Sequence, residues 1–141
     1  MNVIHGNLLN ADTDYIAHQV NCQGVMGAGL ALQIKQHYPD AYRKYRNHCL
    51  NLPASKLLGI VHKVGRILNI FGQNRYGYGQ RHTDYNALAT AFQTINSTFS
   101  GSSIAFPYGF GAGLAGGDLQ TIHSLMDKYL TDVHVTLYKY K

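Results

Sequence analysis

The chain has 141 residues, with 12 Lys plus Arg against 7 Asp, no Glu, 15 Gly, 2 Cys and 45 % hydrophobic residues. That length suits one domain, 1–141, able to bury a core without disulfides or a structural metal, and the missing Glu excludes hydrolases of the HExxH zinc type. The net charge of +5 predicts an anionic ligand without naming it.

The first strand is predicted at Asn2 to His5, ended by the turn residues Gly6-Asn7. A second, Tyr15 to Asn21, runs into the glycine-bearing segment Cys22 to Gly29. The helix after it sets Leu30, Ala31, Ile34 and Tyr38 on one face and stops at Pro39. Asp40 then reads as the N-cap of a helix from Ala41 to about Leu50 that carries Arg43, Lys44 and Arg46. Strands are predicted at Leu57 to Val64 and at Arg66 to Phe71.

The segment Gly72 to His82, with Arg75, Tyr76, Tyr78 and Arg81, reads as an ordered functional loop. Thr83 or Asp84 caps a helix with Tyr85, Leu88, Ala89, Phe92 and Ile95 along one stripe. A strand at Ser103 to Phe106 leads into a second glycine loop, Pro107 to Asp118. The chain closes with a helix presenting Leu119, Ile122, Leu125, Met126 and Tyr129, and a strand from Val133 to Tyr138. Alternating strands and helices predict an α/β fold, a three-layer α/β/α sandwich that binds ligands beyond the carboxyl ends of its strands.

Both glycine loops join a strand to a helix. Glycine there lets backbone N–H groups approach an anion, and a helix N-terminus adds its positive dipole end, so the pair suits the two phosphates of a diphosphate. Gly111 to Gly116 satisfies GxGxxG, but the strand that follows begins near Asp132 instead of ending in an acid, which argues against a Rossmann site. No GK[ST] occurs, so a P-loop is absent. Cys22 and Cys49 form no CxxC, and no HxxxH pairing accompanies them; no metal and no cofactor is expected. Without a secretory leader or an apolar run of membrane-span length, a cytoplasmic protein with no membrane partner is expected.

The chain resembles the macrodomain family of ADP-ribose-binding proteins. The residues that carry the likeness are Gly6-Asn7-Leu8, Val20-Asn21-Cys22-Gln23-Gly24 leading to Met26-Gly27-Ala28-Gly29-Leu30-Ala31, and Pro107 to Gly113. Within the family it is most similar to the ADP-ribose 1″-phosphate phosphatases and to the branch of terminal ADP-ribose and DNA ADP-ribosyl glycohydrolases. The resemblance implies a mixed central sheet. It also implies that Asn7, with Leu8 beside it, reads adenine, against which Tyr138 packs. Asn21 holds the distal ribose hydroxyls, while Gly24, Met26, Gly27, Ala28 and Gly29 on one side and Tyr108, Gly109, Phe110, Gly111, Ala112 and Gly113 on the other enclose the diphosphate. Each has a plainer alternative: Asn7 and Asn21 also suit turns, and Tyr138 the core.

Three residues are the catalytic candidates: His18, Asn21 and Asp118. His18 matches a histidine of the phosphatase motif, where it acts as a general acid, or it is a hydrogen-bonded core residue. Asp118 is the one carboxylate in either glycine loop and either activates water or caps the following helix. The glycohydrolase branch uses a Lys and an Asp whose places here fall near Gln73 and at Ala115, where neither group is present; Gln73 begins the loop that covers the distal ribose. The function expected is a metal-independent hydrolase that releases phosphate from ADP-ribose 1″-phosphate. The alternatives are a non-catalytic ADP-ribose reader or a hydrolase that removes ADP-ribose from protein or nucleic acid, nucleic acid then entering only as an ADP-ribosylated substrate. A monomer is expected, in the host cytoplasm if the chain is phage-encoded.

Overall fold

Ile67 to Phe71 is a strand buried at every position and Tyr15 to Val20 is nearly so. Such runs belong in the middle of a parallel sheet covered on both faces. The computed structural model, which describes residues 1–140, places them there. In chain order the elements are β1 (Asn2–His5), β2 (Tyr15–Val20), α1 (Gly29–His37), α2 (Pro39–Asn51), α3 (Ala54–Leu57), β3 (Val61–Val64), β4 (Ile67–Phe71), α4 (Tyr85–Thr98), β5 (Ser103–Pro107), α5 (Leu119–Tyr129) and β6 (His134–Lys139), with a 3-10 turn at Leu8–Asn10. Among the described residues the sheet has six strands in the order β1-β6-β5-β2-β4-β3. Only β3 runs antiparallel to its neighbour.

Alternation along the strands sends side chains into two cores. Ala17, Leu68, Ile70, Ile104 and Phe106 pack with α4 and α5. Ile16, Ile67 and Ala105 meet α1 and the start of α2, while Val20 and Phe71 meet Tyr45 of α2 and Leu57 of α3. This is the three-layer α/β/α sandwich with a mixed sheet that the sequence implied.

Local expectations fail in three places. Asp40 is not the N-cap of α2: the helix begins one residue earlier with Pro39 in its first turn, where a missing N–H costs nothing. Residues 57–60 are not strand, because Leu57 ends α3 and its side chain is needed in the core beneath Tyr45 and Phe71. The strand from Tyr15 stops at Val20, since Asn21 turns its side chain back onto the following loop.

The feature that makes a site is the departure of β5 from β2. The pairing covers only Tyr15↔Ile104 and Ile16↔Ala105, whereas β2 stays with β4 through Val20↔Phe71. The chain leaves β2 toward β4 and β3, and leaves β5 toward β6, so the gap is the topological switch point where open α/β sheets bind ligands. Phe92 of α4 packs with Phe106 and Phe110 under one lip of this gap, ring centroids 6.1 and 5.9 Å away. Phe92→Ala is expected to cost about 3–5 kcal/mol, read as a lower urea midpoint.

Candidate functional site

Past the end of β2 the chain must reverse without strand partners, and Asn21 organises that turn. Its Oδ1 accepts from Gln23 N at 2.9 Å, and its Nδ2 donates to Val25 O at 2.9 Å. Tyr45, wholly buried on α2, places its hydroxyl 2.7 Å from Asn21 Oδ1 and 2.8 Å from Asn21 O, and accepts from Val25 N at 3.1 Å. The first glycine loop is thus fastened to α2 through one phenol.

The loop ends at the N-terminus of α1, whose N-cap, Ala28, offers no side-chain bond and whose first turn holds no acid. Among the described residues no protein acceptor meets the N–H groups of Gly29, Leu30 and Ala31. All three residues line a crevice of about 580 Å³, within the roughly 300–1,000 Å³ of small-molecule sites. Free N–H groups at the positive end of a helix attract an anion.

The opposite wall is the second glycine loop. Phe110 N, Ala112 N, Gly116 N and Gly117 N bond to carbonyls of the same loop. The N–H groups of Gly109, Gly111 and Gly113 have no protein acceptor among the described residues, and these three line the crevice. At Gly111 the backbone is left-handed, φ 71°, and an added Cβ would lie 3.0 Å from Gln19 Oε1 and 3.1 Å from Ile122 Cδ1, so glycine is required.

Gln19 ties Gln73 and Thr83, at the two ends of the loop between β4 and α4, to the second wall. Its Nε2 donates to Gln73 Oε1 at 2.8 Å and to Thr83 Oγ1 at 2.9 Å, and the Thr83 hydroxyl donates to Gly111 O at 2.6 Å. Gln73 in turn donates to Arg75 O at 2.7 Å. At the base of the crevice stands His18, 1 % exposed, with Nε2 2.6 Å from Asn69 Oδ1. Its Nδ1 has no protein partner among the described residues. Loss of water pushes its pKa down to about 4, against a smaller upward pull from the Asn69 bond. His18 is therefore neutral near pH 7, a hydrogen-bond acceptor or base and not the general acid expected.

Of the residues singled out from the sequence, His18, Asn21, Gly27, Ala28, Gly29, Gln73, Gly109, Phe110, Gly111 and Gly113 converge on the crevice. The others do not line it. Asp118 caps α5, accepting from Thr121 N at 2.9 Å and Thr121 Oγ1 at 2.7 Å, bonds that hold its carboxyl below the usual range; with α5 capped by a carboxylate, the second loop has no free helix end. Asn7 caps the turn at Leu8–Asn10, and Leu8 and Met26 are core. Gly24, φ 78°, backs onto Cys49 and Arg46. Tyr108 meets His123 edge-on with centroids 4.9 Å apart, Ala112 packs against the α4–α5 core, and Tyr138 packs beside Leu8 and Ala105. The loop after Gln73 contributes tyrosines and not arginines: Tyr76, Gly77 and Tyr78 line the crevice, but Arg81 stacks on Tyr85 at 4.4 Å and Arg75 does not line it.

Sequence reasoning missed Gln19 and Val25 in the lining and Tyr45, Thr83 and Asn69 behind it. Gln19 and Asn69 carried a signal, as amides inside apolar strands. Tyr45, in a helix that reads as basic and exposed, carried none.

These features define an α/β/α protein whose crevice, at the carboxyl ends of parallel strands, is lined by unbonded backbone N–H groups from two glycine loops. Comparison with known proteins places it further. No protein-family model matches the chain. The macrodomain of Mycobacterium tuberculosis DarG superposes with a TM-score of 0.75 and 26 % identity over 97 % of this chain and 95 % of that one. A DNA ADP-ribosyl glycohydrolase of M. tuberculosis is 50 % identical over 44 residues, 31 % of this chain and 12 % of that protein. An ADP-ribose 1″-phosphate phosphatase of Aspergillus fumigatus is 45 % identical over 53 residues, 37 % of this chain and 26 % of that protein. The chain has the macrodomain fold. It matches well under half the length of these curated relatives.

Two outcomes follow for stability. His18 and His62 both have folded pKa values lowered to about 4 from 6.5, chiefly by burial. Their contribution is whole above about 6.5 and is lost as pH falls toward 4, because the unfolded chain binds the protons first. Urea midpoints measured across that window should fall, and less steeply in His62→Gln. Tyr45→Phe keeps the ring but leaves Val25 N–H with only its longer 3.4 Å bond to Asn21 Oδ1, at a cost of about 1 kcal/mol, with faster amide exchange at Val25.

Proposed function

We propose that this macrodomain binds ADP-ribose and hydrolyses ADP-ribose 1″-phosphate to ADP-ribose and phosphate. The observation that carries it is the juxtaposition, in one crevice, of two sets of free backbone N–H groups with a neutral histidine whose Nδ1 is unbonded. The diphosphate lies between the N-terminus of α1 and the N–H groups of Gly109, Gly111 and Gly113. Backbone donors hold the anion, because no Lys or Arg lines the crevice among the described residues.

Among the described residues the lining also has no carboxylate, so base chemistry falls to His18. Its Nδ1 takes the proton of a water that attacks phosphorus, the bond between phosphorus and the ribose oxygen breaks, and the proton returns to that oxygen. Asn21, with one amide hydrogen committed to Val25 O, has its second for a distal ribose hydroxyl.

A second reading, removal of ADP-ribose from a macromolecule, is favoured by the exposed rim: Tyr78 is 86 % and Tyr76 55 % exposed beside the crevice. Gln73 and Ala115 line the crevice at the places where the related glycohydrolases carry Lys and Asp, which leaves that chemistry without its groups.

Calorimetry with ADP-ribose should show binding, and no heat at millimolar ligand would refute the whole reading. Phosphate release from ADP-ribose 1″-phosphate should fall to background in His18→Ala and drop in Asn21→Ala. Asp118→Ala should keep the activity while lowering the urea midpoint through loss of its helix cap. Background release by the wild type, with ADP-ribose bound, would leave binding or deglycosylation.

A further inference from the structure

Asn69 lies in the middle of a strand otherwise made of Ile67, Leu68, Ile70 and Phe71, and it is wholly buried. An amide buried in that setting is costly unless each polar atom is bonded. One end of the amide lies 3.2 Å from Ala41 O. A carbonyl can only accept, so that end is Nδ2 and the end facing His18 is Oδ1. Nδ2 has a second acceptor in His62 Nδ1 at 3.4 Å. His62, Asn69 and His18 form a polar row on adjacent strands in direct register.

The consequence passes to His18. Asn69 Oδ1, 2.6 Å from Nε2, has no hydrogen to give, so the hydrogen belongs to Nε2, and in the neutral ring Nδ1 then has none. That nitrogen is buried with no protein donor among the described residues. The two ring nitrogens diverge, so with Nε2 turned to β4 the other faces away from β4. On that side β5 has parted from β2 and His18 borders the crevice, with Nδ1 itself covered from bulk solvent.

We propose that Asn69 is a positioning residue that holds His18 in the Nε2-protonated tautomer and so reserves Nδ1 as an acceptor for an O–H donor in the crevice. An acceptor at this point takes its hydrogen from a sugar hydroxyl or a water, since an ionised phosphate oxygen has none to give. The proposal rests on the crevice being the ADP-ribose site.

The test is a long-range 1H–15N correlation spectrum of the imidazoles at neutral pH. In the wild type, His18 should show a protonated Nε2 and a bare Nδ1, and ADP-ribose should shift the Nδ1 resonance. Asn69→Asp keeps an acceptor in place and should keep the tautomer. Asn69→Leu removes it and should give mixed tautomers, with phosphate release down about tenfold, the loss of one hydrogen bond. A wild-type His18 protonated on Nδ1 overturns the proposal, as does an unchanged tautomer in Asn69→Leu. If the Leu variant does not fold, the wild-type and Asp spectra decide it. Failure of the ADP-ribose reading looks different: no calorimetric binding, with the tautomer still set as described.

Discussion

The early parting of β2 and β5 is the constraint from which the rest follows. Two pairs of residues bond and then the strands separate, so the last residues of β2 have β4 as their only neighbour in the sheet. Those residues are His18 and Gln19 before the apolar Val20, with Asn21 just past the end of the strand. Full pairing would fill the gap and bury three polar side chains with nothing to do. Separation lets each reach sideways: His18 to Asn69, Gln19 to Gln73 and Thr83, Asn21 to its own loop.

The two walls of the gap present their unbonded N–H groups in different ways. The first uses a helix end left open by Ala28, so charge and dipole act together. The second uses alternate N–H groups of a folded glycine loop, while its helix is closed by Asp118. Neither wall uses a formal positive charge among the described residues. The +5 of the chain acts from a distance, by drawing anions toward the surface.

Three polar residues carry the geometry, each from a separate element: the buried Tyr45 of α2, the half-buried Gln19 of β2 and the buried Asn69 of β4. Hydrogen bonds in so dry a setting strengthen one another, and a missing partner is costly. The neutral state of His18 belongs to the same economy, because burial opposes its charge more than Asn69 favours it.

Local pattern was enough for much of this molecule. The order of strands and helices follows from alternation and from punctuation by Pro39, Asp84 and Asp118, and both glycine loops were visible because glycine density is a property of neighbours in the chain. The likeness to macrodomains followed from the same short segments. Asp40 and residues 57–60 were misread for a related reason: the first turn of α2 and the burial of Leu57 depend on what packs against them. Which candidates form the site was beyond local reach. His18 and Asn69 are 51 residues apart and Gln19 and Thr83 are 64 apart, and a single sequence does not show such pairings. Asp118, open to either water activation or a helix cap, caps α5, while Tyr45, which no pattern marks, bonds the turn at Asn21. In each case the partner that settles the role, Thr121 or Asn21, is known only once the chain has folded around it.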